Sequence, residues 1–446
     1  MLWRAPAGLT GHAGVQIEQQ QAALAVRHVL TGMALPAALA AVDDGEGRRG
    51  RTLVQELAYG TLRHWGRYEA LTRVLATKPV ADAPLAALIA VALYQLDHTD
   101  APPFAVVDRA VDAAGAIARP QAKALVNAML RRYLREREAL NAQVAAASPV
   151  ACWSYPRWWI GRVEADHPRH WQQILAVGNE RPPLTLRVNR RAGTREALLA
   201  KFAALELDAC AAGAEGIIVD PPRPVTALPG FAQGEFAVQD LGAQLAAPLL
   251  ALRDGLRVLD ACAAPGGKTS HLLELAEVEL TALDRDEVRL KRVRENLARL
   301  GADQRNVRVL VGDAGRPSAW WDGRQYDRVL ADVPCTASGI VRRHPDAKWL
   351  RRKSDLADLA GEQRRILQAL WPLLAPGGLL LYATCSVFAG ENEQRVLEFT
   401  AETPGALRET IRFDPEIPHE GGQLLPSGKG TRHNQDGFYY ALLRKA

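Results

Sequence analysis

Along residues 1–147 apolar side chains recur at helical spacing. Val54, Leu57, Leu62, Trp65, Tyr68, Leu71 and Leu75 mark one face of one continuous helix. "LAALIAVALYQL" at 85–96 predicts a second helix, stopped by "DHTDAPP", within which His98 reads as a capping or turn residue. "AVVDRAVDAAGAI" and "AKALVNAMLRRYL" repeat the helical spacing. An all-α bundle without evident catalytic residues is expected here.

The pattern changes over 148–238. "LTLRVN" at 184–189 alternates like a half-buried strand, "TREALLAKFAALEL" reads as a helix capped by Thr194, and "GIIVD" as a short strand. This predicts a small α+β domain. Trp153, Trp158 and Trp159 could stack on bases, but are read as packing between domains.

From 239 to 446 short apolar runs alternate with helical segments. "LRVLDACAAP", "ELTALDRD", "VRVLVGDA", "DRVLADVPC" and "GLLLYATCS" end in acid, glycine or cysteine, and "GFYYALLRK" closes the series. Buried strands separated by helices predict a doubly wound, mostly parallel α/β sheet of Rossmann type. Ligands bind at the carboxyl ends of such strands.

At 446 residues the chain needs more than one core. It lacks the roughly 18-residue uncharged apolar run of a membrane span, and "MLWRAPAGLTGH" lacks a signal-peptide core. Its five cysteines are scattered, without C-x-x-C, so neither a zinc ribbon nor a disulfide framework is supported. A cytoplasmic protein with free thiols and no metal is expected. The net charge is +5, with arginines clustered in "RRYLRER" (131–137), "RVNRR" (187–191) and "RRHPDAKWLRRK" (342–353). These clusters fit a polyanion such as RNA, or simply solvated faces.

"DACAAPGGKTSHL" at 260–272 combines a strand end, a glycine turn and a helix start. It fails the P-loop pattern, because Cys262 stands where the first glycine is required, and G-x-G-x-x-G is absent. Asp284 closes the next strand, where a carboxylate can bind ribose hydroxyls. Asp313 closes the third, in reach of an adenine amino group. Two strand-end acids without a phosphate cradle point to a nucleoside cofactor lacking phosphates, S-adenosylmethionine.

Cys335 in "DVPC" and Cys385 in "ATCS" both follow strand-like runs. A thiol in the first tetrad, rather than an aromatic residue, suggests methylation of a pyrimidine carbon. A thiolate added to C6 makes C5 nucleophilic, which is covalent catalysis. Asp332 is adjacent for the base edge, and Lys268 is the candidate for activating a thiol whose free pKa is about 8.5.

"DACAAPGGKT", "DVPCTASG" and "YATCS" resemble the cofactor loop and the two cysteine motifs of the Nol1/Nop2/Sun RNA cytosine-5 methyltransferases. The helical N-terminal region is similar to a NusB domain. With "RRHPDAKW", it resembles the branch of that family acting on bacterial 16S ribosomal RNA. The resemblance implies Cys385 as nucleophile and Cys335 as the thiol assisting product release. It implies Cys262, Ala263, Ala264, Pro265, Gly266, Gly267, Lys268, Asp284, Asp313 and Asp332 as cofactor contacts. Val333 and Thr336 stand where the family usually has alanine and serine. The expected partner is 16S rRNA, free or in an early assembly intermediate, bound by a monomer, with 342–353 holding the RNA backbone. An RNA-binding assembly factor with a vestigial methyltransferase fold and a DNA methyltransferase are the rival readings.

Overall fold

A computed structural model of the chain describes residues 14–43, 48–118, 120–303, 305–431 and 433–446. It forms two compact units, Met1–Glu180 with Val341–Lys353, and Arg181–Ile340 with Ser354–Ala446.

The first unit is all helical, from Gly14–Leu30 to Trp171–Val177, around one core rich in alanine, leucine and valine. The apolar face starting at Val54 is not one helix. It is divided between Arg48–Arg63 and Trp65–Leu75, with His64 between them at φ −112° and ψ 17°. Both segments bury their stripe in the same core, so the spacing continued through the break; periodicity reports burial rather than continuity. Asp82 caps the helix Ala83–His98 by accepting from Leu85 N. His98 is that helix's last residue rather than a turn residue. Its ring stacks on His64 at 4.7 Å and on Tyr94 at 4.9 Å.

Residues of two arginine clusters bond to other parts of this unit. Arg137 of "RRYLRER" pairs with Asp97, whose carboxylate also accepts from Tyr133 and Tyr68. "RRHPDAKWLRRK" is folded into the helical unit at Arg342 and Lys348, which corrects the reading of those two as RNA-facing, while Arg352 and Lys353 at its end are exposed. Arg342 is 1% exposed and Lys348 0%. Lys348 Nζ donates to Arg63 O and Asn179 Oδ1, both at 2.7 Å, and lies over the Tyr155 ring. Asp346 Oδ2 accepts from Leu35 N, and Trp349 Nε1 donates to Leu62 O. Burial drives the Lys348 pKa well below its usual value. Trp159 is buried beside Trp158 and Tyr155, so packing within this unit accounts for it.

The second unit begins with four antiparallel strands, β1 (Leu184–Val188), β2 (Ala209–Ala212), β3 (Gly216–Val219) and β4 (Phe236–Val238), in the order β2-β3-β1-β4. Thr194 caps the helix Arg195–Ala203 through Ala197 N, as its spacing predicted. The larger sheet contains β5 (Arg257–Asp260), β6 (Glu279–Asp284), β7 (Val307–Val311), β8 (Tyr326–Asp332) and β9 (Leu374–Thr384). These are parallel in the order β9-β8-β5-β6-β7. β10 (Ala406–Glu409), β11 (His419–Glu420), β12 (Gln423–Leu424) and β13 (Phe438–Lys445) complete it, with β13 antiparallel to β9. The strand order reverses between β5 and β8, which sets a ligand crevice at their carboxyl ends. No helix among the described residues is long and apolar enough to cross a membrane.

Candidate functional site

The loop Cys262–Gly266 leaves β5 at this switch point and enters the helix Gly267–Leu275. Gly266 has φ +97°, and a Cβ there would come within 3.1 Å of Val293 Cα. Only glycine meets both demands without strain. Asp284, at the end of β6, accepts from Ala264 N through Oδ2 and from Asp286 N through Oδ1, each at 3.0 Å. It therefore fastens the loop, whatever else it binds.

Asp260 closes β5 at 1% exposure. Its Oδ2 accepts from Thr269 Oγ1, while Oδ1 is buried without a hydrogen-bond partner. Burial, aided by Asp332, pushes its pKa up to about 7. Burial also raises the Cys262 thiol well above its usual value, helped by Asp332, Asp260 and Asp284. A pocket edge this negative suits a ligand carrying positive charge.

Asp313 follows β7. Its Oδ1 accepts from Arg365 Nη2 and Gly315 N, both at 2.8 Å, and the Arg365 bond holds its pKa below the usual range. Asp332 ends β8 and accepts from Lys268 Nζ at 2.6 Å. Burial opposes charge on Lys268, but Asp332 outweighs it and the pKa is raised, with a further contribution from Cys385. Lys268 thus reaches the cysteine neighbourhood as a committed cation.

β8 and β9 are neighbours with Asp332 opposite Ala383, so the loops after them lie side by side. Cys335 Sγ and Cys385 Sγ are 3.3 Å apart. Cys335 is buried and Cys385 half-buried. The hydrogen bond to Cys385 and burial together raise the Cys335 pKa well above its usual value. Cys335 accordingly keeps its proton and can donate it in a hydrogen bond to the more exposed sulfur.

The structure thus brings the loop 262–268, Asp284, Asp313, Asp332 and both thiols to one end of one sheet. Sequence reasoning missed three groups. Arg187, read as part of a basic surface cluster, is 0% exposed. It donates to Gly267 O, Ser270 Oγ and Glu274 Oε1, binding the start of the loop's helix. Arg365 and Glu391 also escaped; the first holds Asp313 and the second, from "AGENEQ", joins the two cysteine loops. Neither lies in a pattern of residue type and spacing that announces chemistry.

Residues 247–444 match the family described as 16S rRNA methyltransferase RsmB/F. Residues 155–226 match the ferredoxin-like domain of the same proteins, and 15–135 match the NusB family. Ribosomal RNA small subunit methyltransferase B of Pseudomonas putida is 44% identical over 437 residues, covering 95% of this chain and 97% of the relative. The protein of that name from Vibrio cholerae is 43% identical, covering 93% and 94%. Among solved structures, PH0851 superposes with a TM-score of 0.77 at 23% identity over the whole of both chains, a likeness of fold.

Proposed function

The chain belongs to the 16S rRNA methyltransferase RsmB/F family, and we propose that it methylates C5 of a cytosine in 16S rRNA through a covalent bond between Cys385 and C6. The observation that carries this reading is the 3.3 Å approach of two thiols beside the Lys268–Asp332 pair. One pyrimidine ring can then meet both sulfurs.

The residues at the carboxyl ends of β5 to β8 fit S-adenosylmethionine. Gly266 opens the loop backbone, Asp284 and Asp313 stand at strand ends for ribose and adenine, and the surrounding carboxylates favour a cationic ligand. Cys262, Ala263, Ala264, Pro265, Gly267, Lys268 and Asp332 complete that set. When bound, S-adenosylmethionine supplies an electrophilic methyl group on a sulfonium.

Cys385, as thiolate, adds to C6 and directs electron density to C5. The Cys335 S–H, 3.3 Å from the Cys385 sulfur, can donate to it. Asp332, oriented by Lys268, holds the base edge. After methylation a water molecule takes the C5 proton, and the C5–C6 double bond re-forms as the C6–S bond breaks. Cys385 departs as thiolate, with the Cys335 S–H assisting by donating to it. The target base must be unstacked to reach this depth.

A denaturing gel of protein with 16S rRNA and S-adenosylmethionine tests the assignment. Cys335→Ala should accumulate a covalent protein–RNA band, and Cys385→Ala should give none. The reverse pattern would move the attack to Cys335, as in a DNA-type enzyme. No band from any variant would favour an RNA-binding assembly factor.

A further inference from the structure

We infer that Glu391 is a positioning residue that holds the two cysteine loops in one register, an inference resting on the thiol roles proposed above. Glu391 is 1% exposed. Its Oε1 accepts from Thr336 N at 2.9 Å and Gln363 Nε2 at 3.1 Å. Its Oε2 accepts from Thr336 Oγ1 at 2.5 Å and Ser386 Oγ at 2.6 Å. Thr336 follows Cys335 and Ser386 follows Cys385. The same carboxylate therefore grips the residue next to each thiol.

These four donors are neutral, so the carboxylate depends on hydrogen bonds alone for its burial. A shift of either loop would leave a charged acceptor short of donors, which makes the arrangement stiff. Neighbouring bonds add to it. Tyr382 Oη donates to Glu391 O, and Asn392 donates to Ser386 O while accepting from Thr384 Oγ1. Gln363 Nε2 also donates to Pro334 O, on the other side of Cys335. Both thiols are thus referred to a common fixed point in the core.

Attack and release use different sulfurs on the same ring, so each loop has its own kinetic signature. Loosening the Thr336 attachment displaces Cys335 and should slow release. Loosening the Ser386 attachment displaces Cys385 and should slow attack. A general packing role would weaken both steps together.

The experiment measures trapped adduct and released methylated RNA for Thr336→Val, Ser386→Ala and Glu391→Gln, with Cys335→Ala as reference and circular dichroism as the check of folding. Thr336→Val, which keeps the side-chain shape, should raise the ratio of adduct to product about tenfold, the scale expected for a slightly displaced reacting group. Thr336→Ser, restoring the hydroxyl, should return the ratio to wild type. Ser386→Ala should lower adduct and product together without raising the ratio, and Glu391→Gln should slow both steps. Equal proportional losses in Thr336→Val and Ser386→Ala, or no change in either, would overturn the inference alone. Absence of a band from Cys335→Ala itself would remove the thiol assignment and this inference with it.

Discussion

Cys335 Sγ lies 3.3 Å from Cys385 Sγ although fifty residues separate them in the chain. Each follows the carboxyl end of a strand, and the two strands are parallel neighbours. The largest influence on Cys335 is its hydrogen bond to Cys385. Cys385→Ala should therefore lower the Cys335 pKa, and alkylation of Cys335 should begin at lower pH. The pH profile of iodoacetamide reaction in folded protein checks this; an unmoved midpoint would mean that the thiols do not communicate.

Gly266→Ala should weaken both fold and cofactor binding. A left-handed backbone costs a Cβ-bearing residue about 1–2 kcal/mol, and the added carbon would press on Val293. Thermal unfolding and titration with S-adenosylmethionine should both register the loss.

Asp260 makes stability depend on pH. Its folded pKa, about 7, lies above the ordinary carboxylate value, so between about pH 4 and 7 the folded state binds more protons than the unfolded chain. Stability contributed by the protonated group is complete below pH 4 and falls as pH rises toward 7. Asp260→Asn removes this dependence while leaving an acceptor for Thr269. Urea unfolding should show the variant gaining on wild type with rising pH, by up to about 4 kcal/mol at 1.36 kcal/mol per pKa unit. Parallel curves would contradict it.

Arg187→Met should strand Glu274, whose partner side chain is 0% exposed and which is itself 3% exposed. Removing one member of a buried pair costs about 3–5 kcal/mol. Arg187→Met combined with Glu274→Leu should recover part of that loss, measured by the same unfolding assay. Cofactor affinity should fall in the single variant, because Arg187 also holds Gly267 O.

Lys348→Met should lower the unfolding temperature, leaving Arg63 O and Asn179 Oδ1 without their donor. The salt dependence of RNA binding should keep its slope, because a buried side chain neutralises no phosphate. A slope reduced by about one would restore the RNA-facing reading of Lys348.

The strands of the larger sheet and the residues at their ends were legible in the sequence. Strand ends carrying Asp260, Asp284, Asp313 and Asp332 are legible because short apolar runs stop at them, and the thiols because cysteine at a strand end is rare enough to notice. Local pattern was sufficient there, since each residue's meaning depends on its own strand. Which polar residues are interior was not legible in the sequence. Arg187, Arg342 and Lys348 look like surface charge in any window of sequence, yet each is buried among partners far along the chain. The break at His64 was hidden because both flanking helices bury the same stripe. Glu391 was hidden for a related reason: its value lies in reaching Thr336 and Ser386 at once, and strand order alone brings those two together.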